Sequence, residues 1–201
     1  GAAGTYAGAM SIASGATFEK SSAATQTLSG AVTGGGTLKM SSTGGLILSN
    51  ASNAYGALEI TAAGRVFINT NALALPTAAT VSITNGGLLV FSTSGTYGNA
   101  ITVGDTGGIN ARNSGGATLN NVTLPGSGTV IFNNDDSATR LLTISKGQTL
   151  TGDLTVQISG NRMTAVTTEL GAVTLSGILT GSGGLTLVSS GNIDNTSLYG
   201  T

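Results

Sequence analysis

The chain has 201 residues, of which 33 are Gly, 2 are Pro and none is Cys, His or Trp. Charged residues make up 7%, and seven Lys and Arg against eight Asp and Glu leave a formal net charge of −1, where an ordinary globular domain carries about 25% charged residues. So few cations leave no electrostatic footprint for DNA or RNA, and without His or Cys the usual zinc, haem, iron–sulfur and Ser–His or Cys–His arrangements cannot be built.

Short runs rich in Val, Ile, Leu and Thr, bounded by Gly, Asn and Ser, predict strands at 37–40, 46–48, 57–60, 66–68, 81–83, 88–91, 129–132, 154–156 and 185–187. Gly at about one residue in six penalises helices by up to about 1 kcal/mol each relative to Ala. An all-β chain is expected. No stretch approaches the roughly 20 apolar residues of a membrane-spanning helix. A mean hydropathy of +0.29 with almost no net charge is the opposite of a disordered composition. Without disulfides, stability is expected to come from packing and backbone hydrogen bonds. The chain opens at Gly1 with no basic segment followed by an apolar core, so a leader is expected to have been removed or the chain to be part of a longer one.

Self-similarity sets the expected architecture. Residues 28–44 (LSGAVTGGGTLKMSSTG) and 175–191 (LSGILTGSGGLTLVSSG) align without a gap and are identical at nine of seventeen positions. A shorter copy, GSGTV, covers 126–130. A second motif places Gly three residues after Ile and an apolar residue two or three places further on. It occurs from Ile12, Ile83 and Ile144, and from Ile60 with one extra residue. All four tyrosines, Tyr6, Tyr55, Tyr97 and Tyr199, are followed by Gly within two residues. Units this small cannot bury their own apolar face, so they must stack into a continuous core. Gly then supplies the positive-φ corners. At about 22 residues a rung the chain gives roughly nine rungs in one rod-like stack about 40 Å long. The whole of 1–201 is expected to form this one β-solenoid domain, a segment or subunit of a longer fibre.

The stretch 34–67 (GGGTLKMSSTGGLILSNASNAYGALEITAAGRVF) resembles the autotransporter-associated β-strand repeat of bacterial autotransporter passenger regions: glycine-rich turn, apolar strand, Ser/Gly turn, apolar strand, Tyr-Gly corner and a further strand. Residues 4–18 resemble the second half of that repeat and 180–200 its first half, with a departure at 195–200. The resemblance implies a right-handed parallel β-helix outside the cell, serving as an adhesin stalk or scaffold, and no enzymatic activity. Placed tail to head, 181–201 and 1–18 approximate one module. End-to-end self-association, or continuation into neighbouring repeats, is therefore expected. A cell-surface or polysaccharide ligand fits the same reading, with no nucleic acid partner and no membrane insertion in this segment.

No catalytic, cofactor-binding or metal-ligating set can be assigned, and no cofactor is expected. The carboxylates Glu19, Glu59, Asp105, Asp135, Asp136, Asp153, Glu169 and Asp194 stand singly except for Asp135-Asp136. That pair supplies oxygen ligands suited to Ca²⁺ but reads first as an Asx-rich turn. Gly104-Asp105-Thr106-Gly107-Gly108 resembles a glycine-rich calcium loop and likewise reads as a turn. A polysaccharide-binding or polysaccharide-cleaving β-helix is the alternative function, since acids from separate rungs can flank a glycosidic bond. Thr25-Gln26-Thr27 and Thr149-Leu150-Thr151 were weighed as parts of an ice-binding face, but these triplets do not recur at rung spacing and read as β-branched filling of strands. Asn50, Asn121 and Asn195 head Asn-x-Ser/Thr triplets that chance explains in so Asn-, Ser- and Thr-rich a chain. Lys20, Lys39, Arg65, Arg112, Arg140, Lys146 and Arg162 are dispersed and read as edge and surface charges.

Overall fold

A computed structural model describes residues 2–112, 115–134, 141–158 and 173–189. Among these residues the only helical element is a 3₁₀ turn at Ala72–Ala74; the rest is strands and corners. Nine parallel strands make the first face: Gly4–Tyr6, Gln26–Leu28, Gly45–Leu48, Arg65–Ile68, Leu88–Phe91, Gly108–Ala111, Gly128–Asn134, Leu154–Ile158 and Leu185–Ser189. In register, Gly4 pairs with Gln26, then Leu46, Val66, Leu89, Ile109 and Phe132 follow in turn, so the early steps are 22, 20, 20, 23, 20 and 23 residues. The next two, Phe132 to Ile158 and Leu154 to Leu185, lengthen to 26 and 31. The chain is a parallel β-solenoid of about seven turns. The count is slightly below nine because the late turns are longer than the 22-residue average, and the last one passes through 159–172.

Two further faces close each turn. The third face stacks Thr17–Lys20, the second half of Val32–Met40, the second half of Ala54–Ile60, Thr80–Ile83, Ile101–Val103 and Val122–Thr123, with Gln148–Leu150 and Leu179–Gly181 pairing beyond them. The second face holds Met10–Ser11 and the first halves of the same two long strands in the early rungs. In the late rungs it holds Gly95–Tyr97, Ala117–Leu119, Leu142–Ile144 and Val173–Leu175. Between the two groups Asn69–Ala79 crosses without a strand, and the 3₁₀ turn is capped by the Asn71 side chain accepting from Leu73 N at 2.9 Å.

Alternation along each strand sends every second side chain inward, and parallel register piles like on like. On the first face Leu46, Val66, Leu89, Ile109 and Phe132 form one column and Leu48, Ile68 and Phe91 the next, all fully buried. On the third, Leu38, Leu58, Val81, Ile101 and Val122 are stacked, as are Met40, Ile60, Ile83 and Val103. Each side chain removed from water contributes about 1.5–3 kcal/mol. Burial is contiguous through these columns.

The sequence repeat and the structural repeat are out of phase. Leu38 lies on the third face, whereas Leu185, its partner in the 28–44/175–191 alignment, lies on the first. The Ile-to-Gly motif behaves in the same way. Ile12 and Ile144 close second-face strands, whereas Ile60 and Ile83 close third-face strands. The expectation that these copies occupy equivalent layers is therefore corrected: distant rungs do stack, but this alignment does not identify which residues meet. What recurs is strand, corner, strand. Every corner needs a stop, a left-handed or close-packed residue and a fresh apolar start, whichever two faces it joins. Ile83 to Leu88 shows the chemistry: Asn85 and Gly86 have φ of 53° and 76°, and Gly87 N donates to Thr84 O at 3.0 Å.

Candidate functional site

With the inward positions apolar, the outward positions carry whatever chemistry the surface has. On the third face the outward rank reads Glu19, Lys39, Glu59, Ser82, Thr102 and Thr123 in register. Charges of alternating sign stack at one end and neutral hydroxyls at the other. Glu19 accepts a hydrogen bond from the Ser41 hydroxyl. The sequence treats these charges as dispersed; 20- and 20-residue spacings bring them together, a signal visible only once the rung length is known.

The other carboxylates in described residues serve corners. Asp105 Oδ1 accepts from Thr129 N at 2.7 Å, one rung on, and Asp153 Oδ1 accepts from Gly184 N at 3.0 Å. The loop around Asp105 thus works as the structural turn it was read to be, its carboxylate tying the next strand. Asp135, Asp136, Glu169, Asp194, Arg140, Arg162 and Asn195 lie outside the described residues. Among the described residues no group of three Asp or Glu side chains is placed to hold a metal ion.

The dispersed cations resolve differently from one another. Lys20 is not a surface charge: it is 3% exposed, in the inward column with Met40 and Ile60. Its ammonium donates to Ser22 O and to Ser42 Oγ, the latter at 3.3 Å. The strand's alternation forces the side chain inward, and burial pushes the amine below its ordinary range. Arg112 sits 5.9 Å over the Phe67 ring, and Lys146 donates to Thr123 Oγ1 at 2.8 Å. Asn50 is used locally, its amide donating to Ser29 O and its Oδ1 accepting from Ser52 N, both at 2.8 Å. Asn121 carries a corner through its carbonyl, which accepts from Ile101 N at 3.0 Å.

Sequence reasoning missed a set of buried amides near the corner between the second and third faces. Asn53 Oδ1 accepts from Val32 N in the preceding rung and its Nδ2 donates to Ala74 O in the following one, both at 2.9 Å. Asn99 donates to Pro76 O and Ala79 O at 2.7 and 2.9 Å. Gln148 Oε1 accepts from Leu124 N at 2.8 Å while its Nε2 donates to Val122 O at 2.9 Å and Lys146 O at 2.8 Å. There the side chain substitutes for ladder bonds between Val122–Thr123 and Gln148–Leu150. An Asn or Gln at the start of an apolar strand, one rung from its partner backbone, is the signal. Tyr55 lies in the same region, its hydroxyl donating to Ala74 O at 3.3 Å and its ionisation pushed upward by burial. Tyr97 packs on Phe91 with ring centres 4.3 Å apart, and burial likewise raises its ionisation.

Thr residues do recur at rung spacing, though not at the two triplets considered from sequence. On the second face Thr96, Thr118, Thr143 and Thr174 are in register. Of the triplets, Thr27 continues into Thr5 on one side and Ile47 on the other. Thr149 meets only Thr180, hydroxyl to hydroxyl at 3.2 Å. The clefts on the surface are shallow. One is polar, lined by Thr70, Asn71 and Ser92–Ser94; the other runs past Leu73 and Pro76.

Fold and surface together define a parallel β-solenoid with an apolar core and outward ranks of short polar side chains. No protein-family profile, curated protein or solved structure matches the chain.

Proposed function

We propose that the chain is a non-enzymatic structural and adhesive solenoid of the bacterial cell exterior, part of a surface stalk or end-to-end fibre of the autotransporter-passenger kind that 34–67 resembles. The observation that supports it is the nine-strand parallel ladder of the first face over a continuous core. Such a column gives stiffness along its axis from backbone hydrogen bonds alone. Its low charge makes that stiffness insensitive to salt. Continuity arises through neighbouring repeats of a longer chain or through stacking of copies, since a heterologous contact that does not close makes a filament. Electron microscopy of the purified chain tests this: rods or end-to-end filaments support the reading, and compact isolated particles at high concentration oppose it.

The alternative is a polysaccharide-binding or polysaccharide-cleaving β-helix. The observation that favours it is the pairing of Glu19 and Glu59 in one rank, two rungs and so about 10 Å apart with Lys39 between, near the upper separation of an inverting carboxylate pair. Polysaccharide hydrolysis that disappears in Glu59→Gln would establish it over the structural reading.

A further inference from the structure

The second face of the late rungs is the most regular surface on the molecule. Gly95–Tyr97, Ala117–Leu119, Leu142–Ile144 and Val173–Leu175 pair over three residues each with no register shift. The early third face, in contrast, carries a bulge between Gly34 and Thr37. The outward residue of every late second-face strand is Thr: Thr96, Thr118, Thr143 and Thr174. Two residues on, Asn120, Ser145 and Ser176 form a second polar rank, tied by Ser145 Oγ and Asn120 Oδ1 at 3.0 Å. Residues i and i+2 on a strand lie about 7 Å apart and neighbouring strands about 4.8 Å apart, so the two ranks make a rectangular net.

Three properties narrow what such a net fits. No charged residue stands in either rank, and Lys146 beside it is drawn onto the third face by Thr123. The one aromatic side chain of these strands, Tyr97, is buried inward, so no ring is offered for stacking on a sugar. Among the described residues the four Thr hydroxyls make no hydrogen bond within the protein, unlike the Thr149–Thr180 pair of the third face. Thr is stiff at χ1, so each presents a methyl and an unpaired hydroxyl at a fixed place. A flat, uncharged, two-dimensional net of fixed hydroxyls and methyls is complementary to a crystalline lattice of water more than to a flexible polymer. Its pre-set geometry removes the ordering cost that otherwise opposes binding.

We infer that the second face between Thr96 and Ser176 is an ice-binding surface. The inference does not depend on the adhesive reading above.

The test uses the whole chain. Purified protein is presented to a slowly growing ice hemisphere, the fraction incorporated is measured, and thermal hysteresis is recorded in parallel. Wild type is expected to be taken up and to depress the growth temperature. Thr143→Lys, at the centre of the net, is expected to reduce uptake by about tenfold, the scale of one central interface contact. Thr102→Lys places the same charge on the third face and is expected to leave uptake unchanged. Circular dichroism and melting of each variant establish that it folds. Exclusion of wild type from ice overturns the inference, as does equal loss in folded Thr143→Lys and Thr102→Lys. Retention on insoluble cellulose that Thr143→Lys abolishes, without uptake into ice, overturns it in favour of a polysaccharide.

Discussion

The early rungs, up to Ile68, and the late ones, from Leu88, turn from the second face to the third by different means. In the early rungs one strand runs through the corner. Val32–Met40 bends at Gly34–Gly36, where a Cβ on Gly34 would lie 2.2 Å from Ile12 O and Gly34 itself has φ of 95°. In the late rungs the chain stops, crosses the corner and starts a second short strand, and amide side chains such as Asn99 and Gln148 collect the backbone groups left over. The first solution needs glycine because backbones approach closely. The second needs hydrogen-bonding side chains because they do not. Rung length follows: a corner patched by side chains tolerates the 23-, 26- and 31-residue steps, whereas a continuous strand holds the spacing at 20 to 22.

This contrast predicts where the molecule is fragile. The largest effect is expected in the column both regions share: Phe91→Ala leaves a cavity at the junction and is expected to cost about 3–5 kcal/mol, read by chemical denaturation. A late-type loss follows from Gln148→Leu. It strands Leu124 N and Val122 O and is expected to cost about 3 kcal/mol. If it melts like wild type, side-chain patching is not what holds the late corners. The early corner is sharpened by paired glycines. Gly34→Ala forces a strained backbone against a carbonyl and is expected to cost more than about 1 kcal/mol. Gly98→Ala, with no atom within 4 Å of the added carbon, is expected to change the midpoint little.

Titration separates the regions too. Burial raises the ionisation of Tyr55 in the early region and of Tyr97 in the late one, where the Thr93 bond partly offsets it. A phenol raised above its unfolded value of about 10 keeps its proton longer in the native state. Between those two values the native state holds more protons, so stability falls as pH rises above about 10. Alkaline unfolding is expected, and Tyr55→Phe is expected to flatten its pH dependence more than Tyr97→Phe does. The smallest effect belongs to the charged rank. Lys39→Glu sets three like charges in register and is expected to cost about 0.5–1 kcal/mol at low salt, less at high salt. A Thr102→Ser control is expected to show no such salt dependence.

How much of this was legible beforehand depends on which part of a rung is considered. Strand content, parallel stacking and a glycine-cornered solenoid follow from short apolar runs such as 46–48 and 88–91, because burial on alternate positions leaves that trace in any register. The phase was hidden. Residues 37–40 and 185–187 look alike because both follow a glycine corner, yet they face different ways. Surface ranks were hidden for the same reason: Thr118, Thr143 and Thr174 are separated by 25 and 31 residues, and no fixed period finds them. Lys20 was misplaced because its charge was given more weight than its position on an inward-facing stretch of strand. The buried amides escaped notice because their partners lie a full turn away.

Everything rests on parallel rungs in register around one core, and a single distance tests it. Lys39, Glu59, Ser82, Thr102 and Thr123 are successive in one outward rank, so four strand spacings separate the ends. Spin labels on Lys39→Cys and Thr123→Cys, in a chain with no native cysteine, are predicted to give one narrow distance near 19 Å. A broad distribution, or a distance beyond about 30 Å, would contradict the stacked column.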